Sequence, residues 1–388
     1  MRTLKHAPPT HAARIERKNN SFEGLSRRAV DTPRWLPYCF FASARRRAGT
    51  WTGGARMRDF PVIDLSAFQT ASSAARRDLG RRVDEVCRRT GFLGIRGHGV
   101  PEQVIAEAWN ASLKFFDLPM EKKLEVRMPY VGYPYGYSPL QAEALAQSLG
   151  DETLPDMKES FSIGPLEQQP HLGNEPDRDF RFASNLWPKE PAEFQEAWSN
   201  YYRAMGQLAA RIMRMFAAAL SLREDFFDGA IDDPISAMRA LNYPSQSSPP
   251  KQGQLRAGAH SDYGSLTILV SEAAPGGLEI YTPDGEWQAV PIVPETFIVN
   301  IGDLMARWTN DHWVSTLHRV VNPPPGANGS TRRQSIAFFH QPNWEAEIAC
   351  IQTCLAPGES AKYPPVRSGQ HLMEKFRRTV NLGKAAKT

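Results

Sequence analysis

His260, Asp262 and His318 form a His-x-Asp…His set, and an Arg-x-Ser pair, Arg333 and Ser335, begins fifteen residues after the second histidine. Two imidazoles and one carboxylate suit ferrous iron bound on a single octahedral face, with open positions for a cosubstrate and dioxygen. A guanidinium and a nearby hydroxyl suit a carboxylate of that cosubstrate, because the planar fork grips two oxygens through parallel hydrogen bonds. Taken singly, each element is weak. His-x-Asp pairs are frequent by chance, and the bland reading of Arg333 is a surface ion pair worth little, which its strand phase with Ser335 disfavours.

The flanking patterns say how such residues would be brought together. Side chains two apart on a strand share a face, so His260 and Asp262 are expected to point the same way. His318 shares a strand face with Thr316 and Val320, and only pairing across a sheet can carry it to the first two ligands. Arg333, Ser335, Ala337 and Phe339 share another face, and Tyr243 closes an earlier strand where its phenol could join the arginine.

From residue 235 onward the chain breaks into short alternating runs, and strands are expected at 236–243, 265–270, 278–281, 287–290, 296–300, 315–321 and 333–339. Pro283-Asp284-Gly285 supplies a hairpin turn. The first half is more helical. Residues 74–89 form an amphipathic helix ended by Gly91, 92–95 a short buried strand, and Pro101 opens the next helix. Phe194, Trp198, Tyr201, Met205, Leu208, Ile212, Met215 and Ala219 recur at steps of three and four, which predicts one long helix whose apolar stripe backs the sheet. Residues 127–190 read as loop, with Tyr130, Tyr133, Tyr135 and Tyr137 lying over a site or packing against the helices. Many strands after a helical half predict an α+β protein with a jelly-roll core and flanking helices.

Composition narrows the function classes. The net charge of +4 comes from residues 1–57, with 12 Lys and Arg against 3 Asp and Glu; the rest holds 34 against 39 and is mildly acidic. That balance argues against a nucleic-acid role, and no apolar run approaches a membrane span. Four scattered cysteines give no disulfide framework, and Cys350 and Cys354 lack the partners of a zinc site, so a reducing, cytoplasmic setting is expected. Residues 1–57 are expected to be an unfolded basic leader or a stretch translated upstream of a start at Met57; an Arg-rich transit peptide is the competing reading. The parts that follow are 58–165, an N-terminal helical and strand region; 166–235, a loop and the long helix; 236–345, the core; and 346–388, a C-terminal segment. His98, between two glycines, is expected in a turn or core role.

Several ordered segments then carry a family resemblance: Phe60 to Leu65, Gly91 to Ile95 with His98-Gly99-Val100, Asp156 to Phe161, Asn242-Tyr243-Pro244, His260 to Gly264, Asn300 to Asp303, His318-Arg319-Val320 and Arg333-Gln334-Ser335. The chain resembles the isopenicillin N synthase-like branch of the iron(II)/2-oxoglutarate-dependent oxygenases from Phe60 to about Phe376. The resemblance implies a double-stranded β-helix, a distorted jelly roll with iron inside its mouth. It implies Fe(II) on His260, Asp262 and His318, the distal carboxylate of 2-oxoglutarate on Arg333, Ser335 and Tyr243, and Asn242 reaching the cosubstrate's other end. Phe339 and the Tyr130 to Tyr137 loop become substrate-pocket candidates. The implied enzyme is a dioxygenase that turns 2-oxoglutarate and dioxygen into succinate and carbon dioxide while hydroxylating a small organic molecule. Three readings stay beside it: ethylene-forming breakdown of 2-oxoglutarate, for which Phe339 to Ala346 is similar to such members; an oxidase of the isopenicillin N synthase type that places another carboxylate on Arg333; and a non-catalytic barrel that senses a small acid.

Overall fold

Apolar periodicity decides the helical layer. The computed structural model describes residues 60–149, 153–167, 177–246 and 249–385; the expected leader lies outside them. After β1 (Val62–Asp64) and α1 (Leu65–Thr70), α2 (Ser73–Arg89) starts at Ser72, whose side chain accepts the Ala75 amide. A β-region residue with a short oxygen-bearing side chain satisfies an amide that the first turn leaves orphaned. β2 (Phe92–Arg96), α3 (Glu102–Phe116) and α4 (Met120–Leu124) follow, and α3 begins directly after Pro101, as expected.

Segment 127–190 is more structured than its composition suggested. It contains β3 (Gly136–Ser138), a 3-10 turn at Leu145–Leu149, β4 (Glu159–Ile163) and α5 (Arg178–Arg181). All five residues of β4 are buried although three are polar, which is why it lacks the alternation of a half-buried strand. Its Glu159 is held by Lys123 at 2.8 Å and by Asn242 at 2.7 Å. Tyr135 and Tyr137 pack inside the protein, while Tyr130 is half exposed.

α6 (Phe194–Ala219) runs 26 residues and buries the stripe read from the sequence from Phe194 to Met215, with Ala219 half-buried at its end. Trp198 stacks on Phe194 with ring centroids 4.7 Å apart and donates its indole N–H to Ser112. The core strands are β5 (Ala237–Tyr243), β6 (Ala257–His260), β7 (Leu266–Ser271), β8 (Leu278–Tyr281), β9 (Trp287–Ala289) and β10 (Phe297–Ile301); then come α7 (Asp303–Trp308), β11 (His318–Val320) and β12 (Arg333–His340). The chain closes with β13 (Glu347–Ile348), β14 (Val366–Arg367) and α8 (Ser368–Ala385). The strand expected over 315–321 shrinks to β11, because the register with β8 covers only these three residues, with Leu317 O accepting the Tyr281 amide just before them.

The strands form two facing sheets, β1-β2-β10-β7-β12-β5-β4-β3 and β6-β11-β8-β9, with β13 and β14 a separate pair. One face of the large sheet packs on α2, α3 and α6 through a continuous core that includes Leu93, Val299, Ile268, Ile336, Met238 and Phe161. The other face meets the small sheet, with Phe92, Ile298 and Leu269 against Leu278, Ile280 and Val290. Farther along, Tyr243 and Leu241 meet Ala257 and Val320. This is the expected double-stranded β-helix with a long backing helix. No helix among the described residues is long and apolar enough to cross a membrane.

Candidate active site

Cross-strand register makes the first contact. β6 and β11 run antiparallel with His318 opposite His260, and the two ring centroids lie 4.3 Å apart. Each Nδ1 faces a backbone carbonyl, Gly258 at 2.8 Å for His260 and Thr316 at 3.1 Å for His318. A carbonyl only accepts, so each ring carries its proton on Nδ1 and presents the Nε2 lone pair. Burial, with help from His318, pushes His260 down to about 3 against the opposing pull of Asp262, which keeps the imidazole neutral as a metal ligand must be.

Asp262 arrives differently from the expectation. β6 ends at His260, so Asp262 lies past the strand end and strand alternation does not aim it. It is placed by hydrogen bonds instead: its Oδ2 accepts from Thr267 at 2.6 Å and from Asn300 at 2.7 Å. The free Oδ1 stands 3.7 Å from His318 Nε2. Burial opposes ionisation of this carboxyl, but the two histidines and the two donors outweigh it and hold it below the usual carboxylate range. The three ligand atoms lie within 4.8 Å of one another, the one such cluster of three among the described residues. Two neutral nitrogens and one anionic oxygen, each with its second polar atom already bonded, make a donor set that fits a divalent iron.

The backbone around Asp262 is clamped. Asp303 N donates to Asp262 O at 2.8 Å, Gly302 N to Ser265 O at 3.1 Å, and a Cβ on Gly302 would run into the Gly264 carbonyl. Ser261 donates to Asp303, which also takes Lys375 of α8 at 2.7 Å. On the other side, Asp156 accepts the Gly258 amide at 2.9 Å and pairs with buried Lys158. Burial would lower the Lys158 ammonium, but Glu143 and Asp156 raise it above its ordinary value.

Arg333, Ser335 and Tyr243 also come together. Arg333 on β12 pairs with Tyr243 on β5 in register, and its guanidinium lies 5.0 Å from the phenol ring centre. Its Nη2 donates to Ser271 at 2.6 Å and its Nη1 reaches Ser335 Oγ at 3.5 Å. The arginine is 2% exposed, which overturns the surface ion-pair reading. No carboxylate pairs with it in a salt bridge among the described residues, so the fork can take one from a ligand. Phe339 follows at the same strand phase. Asn242 does not join this group: one residue before Tyr243, it takes the opposite face, donates to Glu159 and accepts from Arg332 at 2.8 Å. The expected reach to the cosubstrate therefore fails on the period of a strand.

His98 and His312 do structural work. His98 Nδ1 accepts the Val100 amide within a turn, and His312 pairs with Asp84. Sequence reasoning gave no role to Thr267, Asn300, Ser271 or Asp156. A register for β7 and β10 would have found the first two, since Thr267 sits opposite Asn300.

A double-stranded β-helix with a His-x-Asp…His cluster in its mouth and an Arg-x-Ser strand beside it defines a non-haem iron oxygenase. Residues 234–342 match the 2OG-Fe(II) oxygenase superfamily, and residues 60–190 match the N-terminal region described as non-haem dioxygenase in morphine synthesis. The 2-oxoglutarate-Fe(II) type oxidoreductase hxnY of Emericella nidulans is 33% identical, over 79% of this chain and 86% of its own. Validamycin A dioxygenase of Streptomyces hygroscopicus subsp. limoneus is 31% identical, over 81% and 85%. A full-length Neurospora crassa protein crystallised in complex with alpha-KG and thymine is similar at a TM-score of 0.72 and 31% identity, covering 84% of this chain and all of that one. The chain belongs to the 2-oxoglutarate- and Fe(II)-dependent oxygenases, as its motifs indicated. It is a dioxygenase that uses Fe(II), 2-oxoglutarate and dioxygen to oxidise a small organic molecule, and its relatives do not favour the ethylene-forming, non-2-oxoglutarate or sensor alternatives.

Proposed function

We propose that His260, Asp262 and His318 hold the iron, that Arg333, Ser335 and Tyr243 hold the distal carboxylate of 2-oxoglutarate, and that the reaction is hydroxylation. The observation that carries this is the meeting of three oriented ligand atoms within 4.8 Å at one end of the inter-sheet space. Iron, when bound, supplies the centre at which dioxygen is reduced by two electrons from 2-oxoglutarate and two from a substrate C–H bond, so that succinate, carbon dioxide and an alcohol leave.

The chain's own residues set the conditions. Asp262 stays ionised and fixed by Thr267 and Asn300, so charge and direction are preset before metal arrives. Arg333 anchors the cosubstrate at the end away from its reacting atoms, and Ser271 braces the guanidinium so that little side-chain freedom is lost on binding. Burial of Arg333 and Tyr243 keeps water out of this end of the barrel, which strengthens each charge interaction there. The substrate side is lined at the Phe339 phase of β12. We place the protein in the reducing cytoplasm, acting on small molecules and not on nucleic acid or membranes; the free thiols Cys87, Cys350 and Cys354 and the acidic balance after residue 57 support this.

The test is turnover of purified protein with Fe(II), 2-oxoglutarate and ascorbate, following oxygen uptake, succinate and headspace ethylene. Slow succinate release without ethylene, accelerated by the right substrate, is expected. Ethylene without added substrate would replace hydroxylation by self-consuming breakdown. Metal-independent 2-oxoglutarate binding without turnover would remove the assignment of the three ligands.

A further inference from the structure

Arg256 is a second buried arginine beside the carboxylate pocket. It stands one residue before β6, is 0% exposed, and sets its guanidinium 5.8 Å from the centre of the same Tyr243 ring that Arg333 approaches at 5.0 Å. Its Nη1 donates to Pro275 O at 2.9 Å and its Nη2 to Thr331 O, while its Nε is buried without a partner. Two carbonyls can be bridged by a neutral donor, so the bridge does not explain a buried charge. Burial, then repulsion by Arg333, pushes Arg256 down to about 10. The nearby carboxylate is Glu272, which accepts the Gln334 amide at 2.5 Å and which burial raises above its ordinary value. Even with Glu272 ionised, Arg256 and Arg333 leave one positive charge in excess, the charge that one ligand carboxylate would neutralise. Buried like charges are costly unless an anion compensates them.

We infer that Arg256 is a positioning residue of the cosubstrate pocket, acting through Tyr243 and Arg333 to select 2-oxo acids that carry a distal carboxylate. This rests on the assignment of Arg333 to that carboxylate. A second buried cation against the same phenol ring strengthens the hold on a diacid and does nothing for a 2-oxo monoacid.

The experiment compares Arg256→Gln, which removes the charge, with Arg256→Lys, which keeps it; both lose the fork. Binding of 2-oxoglutarate and of 2-oxobutanoate to Mn(II)-loaded full-length protein is measured by calorimetry, with thermal melting to confirm folding. Arg256→Gln is expected to weaken 2-oxoglutarate about tenfold, Arg256→Lys by about threefold at most, and 2-oxobutanoate by neither. In an Arg333→Leu background the effect of Arg256→Gln should shrink, since the carboxylate is no longer seated. Equal losses in Gln and Lys, or equal losses for both oxo acids, would make Arg256 a structural clasp and overturn the inference. If Arg333→Leu weakens 2-oxoglutarate and Arg256→Gln does not, this inference alone falls. If Arg333→Leu leaves 2-oxoglutarate unchanged, the parent assignment falls with it.

Discussion

Replacing Thr267 with Val isolates how Asp262 is oriented. The substitution keeps the side-chain shape and removes one of the two hydrogen bonds to Oδ2, leaving Asn300 at 2.7 Å. A hydrogen bond to a charged acceptor contributes about 1.5–3 kcal/mol. Without it, the carboxylate swings more freely and no longer presents Oδ1 alone. Loss of about 2 kcal/mol corresponds to a roughly thirtyfold weaker metal, inside the range for groups that orient ligands. The lost donor also held the Asp262 carboxyl low, so the pH at which metal binding is half lost should move upward in the variant. Anaerobic titration of Fe(II) or Mn(II) against a competing chelator measures both effects, with melting of the metal-free protein as the control. At saturating metal, 2-oxoglutarate affinity should change little, because Arg333 and Ser335 are untouched. Parent-like metal affinity in both Thr267→Val and the Thr267→Val, Asn300→Ala double variant would refute the claim that these two donors fix the ligand.

Three further outcomes follow from the packing and the buried charges. Gly302→Ala should lower metal affinity by about tenfold or more in the same titration, since the new Cβ pushes the Gly264 carbonyl and disturbs the clamp on Asp262. Trp198→Ala should cost about 3–5 kcal/mol in urea unfolding by emptying the centre of the helical layer, with metal affinity of the folded fraction intact. His340 and His371 are both pushed down to about 4, mainly by burial, whereas an unfolded histidine titrates near ~6.5. The unfolded chain therefore binds more protons between those values, and stability of the metal-free protein is full above pH ~6.5 and falls as pH drops toward ~4, by at most about 3 kcal/mol per pH unit for the pair. Denaturant unfolding at pH 7.5 and 5.5 checks the slope, and a flat profile would show that these histidines are not held neutral.

The sequence was most legible where one period and one environment agree. α6 could be placed residue by residue because its stripe meets a continuous core. Arg333, Ser335 and Phe339 could be put on one strand face for the same reason, and pairing with β5 then delivered Tyr243. The same period excludes Asn242, so the alternation that located the carboxylate pocket also contained the correction. β4 was missed because its polar side chains are buried against partners remote in sequence, Lys123 and Asn242, and no local pattern encodes such pairing.

Asp262 shows what local spacing does not carry. Its neighbour His260 is aimed by a strand, yet the carboxylate itself is aimed by Thr267 and Asn300, on β7 and β10 of the opposite sheet. The two imidazoles are fixed within the small sheet by the β6–β11 register, so the ligand set straddles both sheets. A metal on these three groups would therefore tie the sheets together at the mouth. The metal-loaded protein should resist separation of that end, and hydrogen exchange at the Ser265 and Asn300 amides should slow on loading while exchange within α6 stays unchanged. Slowing spread uniformly over α6 and the sheets would point to global stabilisation instead and would remove the bridging role.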